Sequence, residues 1–228
     1  MASPTEAFAP VILVFTLLGL VTAIVRYIFF SPGAKVRRAL RRARRIDVKD
    51  VAEGGARVTG TAKVQADVLL APMSRRRCLA YELRVYGTDG HSDWWDVLVL
   101  REACVFSVVD DTGAIEVDPN GQFELALVKD LEGGTGRPKS DAETLGALAR
   151  LLETSNVEDK LRRGPMHFEE GVLEEGERVS VYGHVEREVR AEGERAELRS
   201  PPEFRVLRGN EEWPLKISDA PAVASSTS

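Results

Sequence analysis

The sequence predicts a mainly β protein, a β-rich α+β fold, that one N-terminal transmembrane helix holds to a membrane. Three observations lead to this prediction. Residues 8–30 form an almost uninterrupted apolar run, and a dense group of basic residues follows it. Between residues 56 and 207, short segments rich in Val and Thr alternate between apolar and polar positions, as half-buried strands do. Residues 141–152 carry leucines at helical spacing, which predicts a helix, and the polar segment 153–164 does not decide whether a second helix follows.

The apolar run is long enough to cross a bilayer. A bilayer core needs about 20 residues of helix, and Arg26 lies near the end of the run, where its long side chain can reach the headgroups. A cleaved signal peptide needs a basic segment ahead of the apolar run, but residues 1–7 contain Glu6 and no base. We therefore expect a short extracytoplasmic N-terminus at 1–7 and a transmembrane helix at 8–30.

The orientation follows from the seven basic residues in 35–45, which lie on the C-terminal side of the run, whereas residues 1–7 on the other side contain none. The positive-inside rule places that side in the cytoplasm. Residues 31–49 then form a basic juxtamembrane segment, with Val36, Leu40 and Ala43 on one helical face. This segment either lies along the anionic leaflet or serves only as a topology signal. The residues that we expect at the membrane surface are Arg26, Lys35, Arg37, Arg38, Arg41, Arg42, Arg44 and Arg45.

The remainder of the chain is acidic. Residues 1–45 hold eight basic residues and one acidic residue, out of 31 and 36 in the whole chain, so residues 46–228 hold 23 and 35, a net charge of −12. Such a domain repels phosphate backbones, and we expect no nucleic-acid partner. The lipid bilayer and a protein of unknown identity are the expected partners.

We expect residues 50–219 to form one β domain. Strands are predicted at 56–70, at 78–87, at 94–109 as one strand or two broken near Arg101 and Glu102, at 114–117 and at 123–128, and beyond the helix at 168–173, 178–190 and 196–207. This order suits a partly open, OB-like β-barrel with one or two helices, and an irregular two-layer α+β domain is the alternative. Gly183 indicates a bulge, and residues 220–228 are expected to be a disordered tail.

No pattern in the sequence predicts catalysis. The chain has no Gly-rich phosphate loop, no GxSxG and no HExxH, and its two cysteines cannot build a four-cysteine zinc site. We therefore expect no enzyme activity, no cofactor and no bound metal. Trp94 and Trp95 are adjacent on a predicted strand, so one should face the core and the other the solvent. The exposed one is a candidate partner-binding residue.

Several phrases in sequence order resemble the "beside a membrane" (BAM) domain, also called the GIDE domain. They comprise Ala71–Ser74 leading to Cys78–Tyr81, then Trp94 or Trp95, Phe106–Gly113 with Val117–Pro119, Leu173–Gly183 and Pro214–Asp219. The resemblance covers about residues 50–220. Domains of this type occur in mitochondrial outer-membrane ubiquitin ligases and in many bacterial proteins.

The resemblance implies a membrane-proximal scaffold or recognition domain. The ligases of this family carry a C-terminal RING finger with eight zinc ligands and a second transmembrane helix, and this sequence shows neither.

The heavy use of Arg over Lys is typical of GC-rich bacterial genomes. We therefore expect a single-pass protein of the inner membrane whose cytoplasmic domain binds a protein partner. The alternative is an accessory subunit of an E3 ubiquitin ligase-type system in which another chain supplies catalysis.

Overall fold

A computed structural model describes residues 31–65, 67–88, 94–135, 142–155, 157, 165–189 and 203–225. These residues are mainly β, which confirms the predicted fold class at that level. The predicted transmembrane helix 8–30, the N-terminus 1–7 and Arg26 lie outside the described residues. Within those residues, no helix is long and apolar enough to cross a membrane.

The elements follow one another in the order α1 (Pro32–Arg42), a short 3₁₀ helix (Val48–Asp50), β1 (Gly54–Val64), β2 (Leu69–Leu70), β3 (Arg77–Cys78), β4 (Ala80–Gly87), β5 (Trp95–Ala103), β6 (Phe106–Asp110), β7 (Gly113–Asp118), β8 (Phe123–Leu125), β9 (Leu131–Gly134), α2 (Ala142–Thr154), β10 (Met166–Leu173), β11 (Arg178–Val189), β12 (Glu203–Arg208), β13 (Leu215–Ser218) and α3 (Pro221–Ala224).

Five strands form a barrel in the order β1-β6-β7-β12-β11, and β11 pairs back with β1. The predicted barrel was partly open, whereas these pairings close the ring. Within this ring of described strands, only β7 and β12 run parallel to each other, and the other pairs are antiparallel. Apolar side chains from alternate positions, such as Val58, Phe106, Ile115, Val181 and Leu207, fill the interior. β13 extends the sheet beyond β11, and β8 pairs with β13.

A second sheet, in the order β5-β4-β10-β9, is built from two excursions of the chain out of the barrel. β4 and β5 lie between two barrel strands in the sequence, and so do β9 and β10. The inner face of this sheet carries Leu83, Val85 and Phe168, which pack with Leu148 and Leu152 of α2. The predicted helix at 141–152 agrees with α2 and supplies the leucines of this smaller core.

Helix α1 belongs to the folded domain, so the boundary predicted at residue 50 is wrong. Ser31 caps the helix by accepting a hydrogen bond from the Ala34 N–H at 3.3 Å, and Pro32 at the first helical position presets the backbone. Val36 and Leu40, one turn apart, are 2 % and 0 % exposed. They pack with Ala126 and with Val223 of α3, so the apolar face of the basic segment lies against the protein.

The predicted disordered tail is also wrong for its first residues. Pro221–Ala224 forms α3, in which Val223 is fully buried and Ala224 is 2 % exposed. The backbone carbonyl of Val223 accepts a hydrogen bond from Arg57 at 2.7 Å, and that of Ala224 accepts one from Arg178 at 2.7 Å. A short run of small, uncharged residues is typical of a disordered tail in a sequence, but here these residues pack against the apolar face of α1.

Two further details of the strand prediction were settled by the structure. The segment 94–109 forms two strands, and the break falls at Cys104 and Val105 rather than at Arg101 and Glu102. Gly183 pairs in continuous register with Ala56, without the predicted bulge. A Cβ at Gly183 would lie 2.8 Å from the carbonyl oxygen of Arg208, so close packing against the neighbouring strand explains the glycine.

Candidate functional site

An open groove of about 1160 Å³ lies between the N-terminal end of α1 and the outer face of the second sheet. Its lining begins at Ser31, the first described residue, which directly follows the predicted transmembrane helix. The groove therefore borders the point at which the chain would leave a bilayer. It also contains both tryptophans and two of the basic residues that the sequence singled out, Lys35 and Arg37.

The floor of the groove is the extended segment 126–130, which joins β8 to β9 of the second sheet. The Ala126 N–H donates to the carbonyl of Ile217 on β13, and the Asp130 N–H donates to the carbonyl of Glu170 on β10, both at 2.9 Å. The segment crosses directly over Gly171. A Cβ there would lie 2.5 Å from the carbonyl oxygen of Val128, so only glycine permits the crossing.

One wall of the groove is the first turn and a half of α1. The Lys35 side chain is exposed and that of Arg37 is half-buried. Within the part of the chain that the structure describes, neither side chain has an ion-pair partner. This wall therefore presents two positive charges to the groove.

The opposite wall is the charged outer face of β4 and β5. The Arg84 guanidinium contacts the Glu82 carboxylate at 2.6 Å and the Asp96 carboxylate at 3.5 Å. Arg101 contacts the same oxygen of Glu82 at 3.0 Å. Burial acts to lower the pKa of Arg84, but the neighbouring Glu82 and its hydrogen bond outweigh burial and raise it. The cations of this wall are thus neutralised by its own carboxylates.

Both predicted tryptophans border the groove. Trp94 is 51 % exposed and precedes β5, whereas Trp95 is the first residue of β5, opposite Gly87, and is half-buried. Trp94 lies before the strand begins, so the alternation of strand faces does not apply to it, and the expectation that one of the two faces the core stays a prediction. Trp94 is the large aromatic surface that a ligand could reach.

The other predicted basic residues lie along α1 and after it. Arg41, Arg42 and Arg44 are exposed, Arg38 is half-buried, and Arg45 is half-buried with its guanidinium 3.9 Å from the carboxylate of Asp47. Since Val36 and Leu40 are covered by the protein, the helix presents charge to its surroundings and keeps its apolar face inside. It cannot insert that face into a leaflet while it remains docked.

His167, Glu169 and Glu132 offer ligand atoms within 4.8 Å of one another at the edge of the groove. The Nδ1 of His167 lies 2.8 Å from the carbonyl oxygen of Gly133, and its ring stacks on Tyr86. Lys129 contacts the carboxylates of both Glu169 and Glu132, at 2.5 and 3.4 Å. The Lys129 ammonium therefore already neutralises these carboxylates, so their arrangement does not indicate a metal site.

The two cysteines and Asp110 have structural roles. Burial raises the pKa of the Cys78 thiol to about 12 and also raises that of Cys104, so both thiols are protonated and poorly nucleophilic near neutral pH. The Asp110 carboxylate accepts hydrogen bonds from the N–H groups of Val48, Thr112 and Gly113. Partial burial opposes them, but with the Thr112 hydroxyl they lower the pKa of Asp110; one of its oxygens is occupied by the turn and the other by Val48.

The sequence did not single out the charged partners in the groove, namely Glu82, Arg84, Asp96, Lys129 and Glu169. The alternation in residues 78–87 did place Glu82 and Arg84 on the polar face of a strand, and that was the available signal. Which other segments would meet that face depends on contacts between residues far apart in the sequence, such as the pairing of Glu169 with Arg84 across β10 and β4.

Comparisons with protein-family models, with curated proteins and with solved structures find no match to this chain.

Proposed function

We propose that this chain is a membrane-anchored binding or scaffold module that engages a protein partner beside the inner membrane through the groove at the start of α1. The predicted helix 8–30 would provide the anchor, with the β domain in the cytoplasm. The proposal follows the GIDE-type resemblance of the sequence in its general form, a recognition domain next to a bilayer. The five-stranded barrel supports the OB-like part of that expectation.

The observation that carries the proposal is the position of the groove. Residues 31–33 line it, and α1 is docked on the domain from Pro32 onward, so within the described chain the binding surface begins at the residue that follows the predicted anchor. A domain attached in this way has a restricted orientation, and a partner in or near the same membrane would meet the groove at a high effective concentration.

The exposed bases of α1 fit the same arrangement. Each Lys or Arg near an anionic leaflet contributes about 1 kcal/mol, while the net charge of −12 on residues 46–228 repels that leaflet. Attraction at α1 and repulsion elsewhere would hold the domain with α1 toward the membrane. This contact would be electrostatic, because Val36 and Leu40 are committed to the protein core.

A role in binding is favoured over covalent transfer by this chain. Transfer of ubiquitin through a thioester needs a thiolate nucleophile, and the raised pKa values of Cys78 and Cys104 oppose thiolate formation. Among the described residues, the charged groups on the other walls of the groove are engaged in ion pairs or, in the case of Glu170, in hydrogen bonds from backbone N–H groups.

Site-specific photo-crosslinking tests the proposal. A photoreactive phenylalanine analogue at Trp94 of the full chain, irradiated in intact cells, should give a discrete protein adduct. The same analogue at Glu211, which is exposed and outside the groove, is the matched control. Equal adducts at both positions, or none at Trp94, would refute the groove as the partner site.

The orientation has its own test. A reporter that is active only in the cytoplasm, fused after Ser228, should be active, and a periplasmic reporter at the same position should be silent. The reverse pattern would contradict the predicted topology.

A further inference from the structure

We propose that the groove recognises an acidic, extended segment of the partner protein, with Lys35 and Arg37 pairing with its carboxylates and Trp94 covering its apolar atoms. This inference rests on the proposed function and names the chemistry of the partner.

The charge balance of the groove identifies the chemistry. Arg84 is neutralised by Glu82 and Asp96, and Lys129 by Glu169 and Glu132. Lys35 and Arg37 are the remaining cations of the groove. In the described part of the chain they have no carboxylate partner, although the domain as a whole is strongly acidic. Two unpaired cations on one wall are complementary to carboxylates supplied by a ligand.

The shape of the groove favours an extended chain over a small molecule. Small-molecule sites are enclosed and have volumes of about 300–1,000 Å³. This groove is open to solvent and has a volume of about 1160 Å³. The ring of Trp94, 51 % exposed, lies on the wall opposite α1 and supplies the kind of aromatic surface that is enriched at protein interfaces.

The opposite wall argues for a peptide rather than for anionic lipid headgroups. Asp96 keeps 45 % of its side chain exposed, and Glu169 keeps 24 %. A layer of phosphates would face these carboxylates at short range and be repelled. A peptide can place its acidic side chains along α1 and turn its backbone N–H groups toward the carboxylates of the other wall.

The test uses the full chain in nanodiscs of zwitterionic lipid and, as probe, a fluorescein-labelled peptide of alternating glutamate and glycine. Its binding is followed by fluorescence anisotropy at low and physiological salt. The variant K35E/R37E should weaken binding about tenfold or more, equivalent to about 1.4 kcal/mol. W94A should also weaken it, through loss of the aromatic contact.

The matched control is R41E/R42E, which makes the same change in net charge on the same helix but outside the groove. It should change the affinity less than about threefold. Equal weakening by both double variants would show non-specific attraction to a basic helix and would overturn the proposal. Thermal melts of each variant confirm that the domain remains folded.

Two further outcomes separate this inference from the proposed function. An adduct at Trp94 that persists unchanged in K35E/R37E would retain the partner site and overturn its acidic chemistry. Absence of peptide binding, together with a Lys35- and Arg37-dependent change in tryptophan fluorescence only in nanodiscs of anionic lipid, would assign the groove to lipid headgroups instead. Loss of the adduct in K35E/R37E, together with peptide binding that depends on the same two residues, would support the inference.

Discussion

At the residue scale, buried polar side chains hold the irregular segments in place. Glu170 is fully buried, and its carboxylate accepts hydrogen bonds from the N–H groups of Met73 and Ser74, both at 2.8 Å. These bonds fix the turn that leads to Arg75, whose φ of 57° is otherwise costly for a residue other than glycine. Asp219 serves segment 126–130 in the same way, because its carboxylate accepts from the Val128 N–H at 2.8 Å.

Glu170→Gln should destabilise the protein by about 1–3 kcal/mol. The amide can satisfy one of the two backbone N–H groups through its oxygen, but its NH₂ faces the other donor and leaves it unsatisfied in the core. Chemical denaturation measures the change. Glu175→Gln, at an exposed position in the following turn, is the control and should change stability by no more than about 0.5 kcal/mol. A neutral result at Glu170 would mean that the turn does not depend on the carboxylate.

Asp219→Asn should stabilise the protein at neutral pH. Burial raises the pKa of Asp219 from 3.8 to about 6, against the opposing effect of the hydrogen bond from Val128. The unfolded chain therefore loses this proton at lower pH than the folded protein, and stability falls as the pH rises from about 4 through about 6. Above that range the ionised Asp219 carboxylate lowers the free energy of unfolding by about 2–3 kcal/mol, because each unit of pKa shift corresponds to about 1.4 kcal/mol.

Denaturation midpoints measured from pH 4 to pH 8 check this expectation. The asparagine variant should lose most of the decline in stability between pH 4 and pH 6 while its side-chain oxygen still accepts from Val128. Asp111→Asn, at an exposed turn position, should keep the parental profile. An unchanged profile in Asp219→Asn would show that other groups cause the decline.

At the element scale, α1 performs two tasks with its two faces. Val36 and Leu40 dock the helix over Ala126 and α3, and this contact holds the start of the helix beside the second sheet. The exposed bases then point away from the core. A helix of 11 residues with this many like charges is marginal in isolation, so tertiary packing supplies its stability.

Leu40→Ala should destabilise the domain by about 2–4 kcal/mol and loosen α1. Leu40 is 0 % exposed, and its truncation leaves a cavity between α1, Ala126 and Val223. Thermal unfolding and hydrogen exchange of the amides of α1 measure the effect. Leu70→Ala, at a leucine that is 51 % exposed, should change little. If exchange in α1 is already fast in the parent protein, the helix is not docked as described.

At the scale of the whole molecule, Arg57 connects three parts of the chain that the sequence separates widely. It is 4 % exposed and donates to the carbonyl of Ala43 after α1, to the carbonyl of Val223 in α3 and to the hydroxyl of Ser180 in the barrel. Burial and the nearby positive charge of Arg45 lower the pKa of Arg57. Both ends of the domain are thereby fastened to the same barrel strand, β1.

Arg57→Gln should cost about 2–4 kcal/mol and expose α3 to proteolysis, because the shorter amide cannot reach all three acceptors and leaves buried carbonyls unsatisfied. Limited proteolysis with mass spectrometry of the C-terminal fragments reports the release of α3, and thermal melts report the stability. Arg41→Gln, which removes an exposed charge from α1, should leave both readouts unchanged. Release of α3 without a change in stability would show that the tail contributes little to the fold.

The sequence by itself determined those features that depend on local periodicity. Alternation in residues 78–87 gave β4, and leucine spacing gave α2, because side-chain direction in a strand or helix depends only on position along that element. Turns such as Asp110–Gly113 are local in the same sense, since the hydrogen bonds that stabilise them lie within a few residues. The β-rich class followed from these local patterns.

Only the tertiary structure decided which elements meet. Short apolar pieces such as Leu215–Ser218 and Val223 gain their burial from partners far away in the sequence, so their own composition gave no indication of it. The groove arises in the same way: Lys35, Trp94 and Glu169 are brought together by strand pairing and by the passage of segment 126–130 over Gly171. Residues distant in sequence become neighbours through the burial of apolar area and the pairing of backbone groups over the whole chain, and a local pattern contains neither.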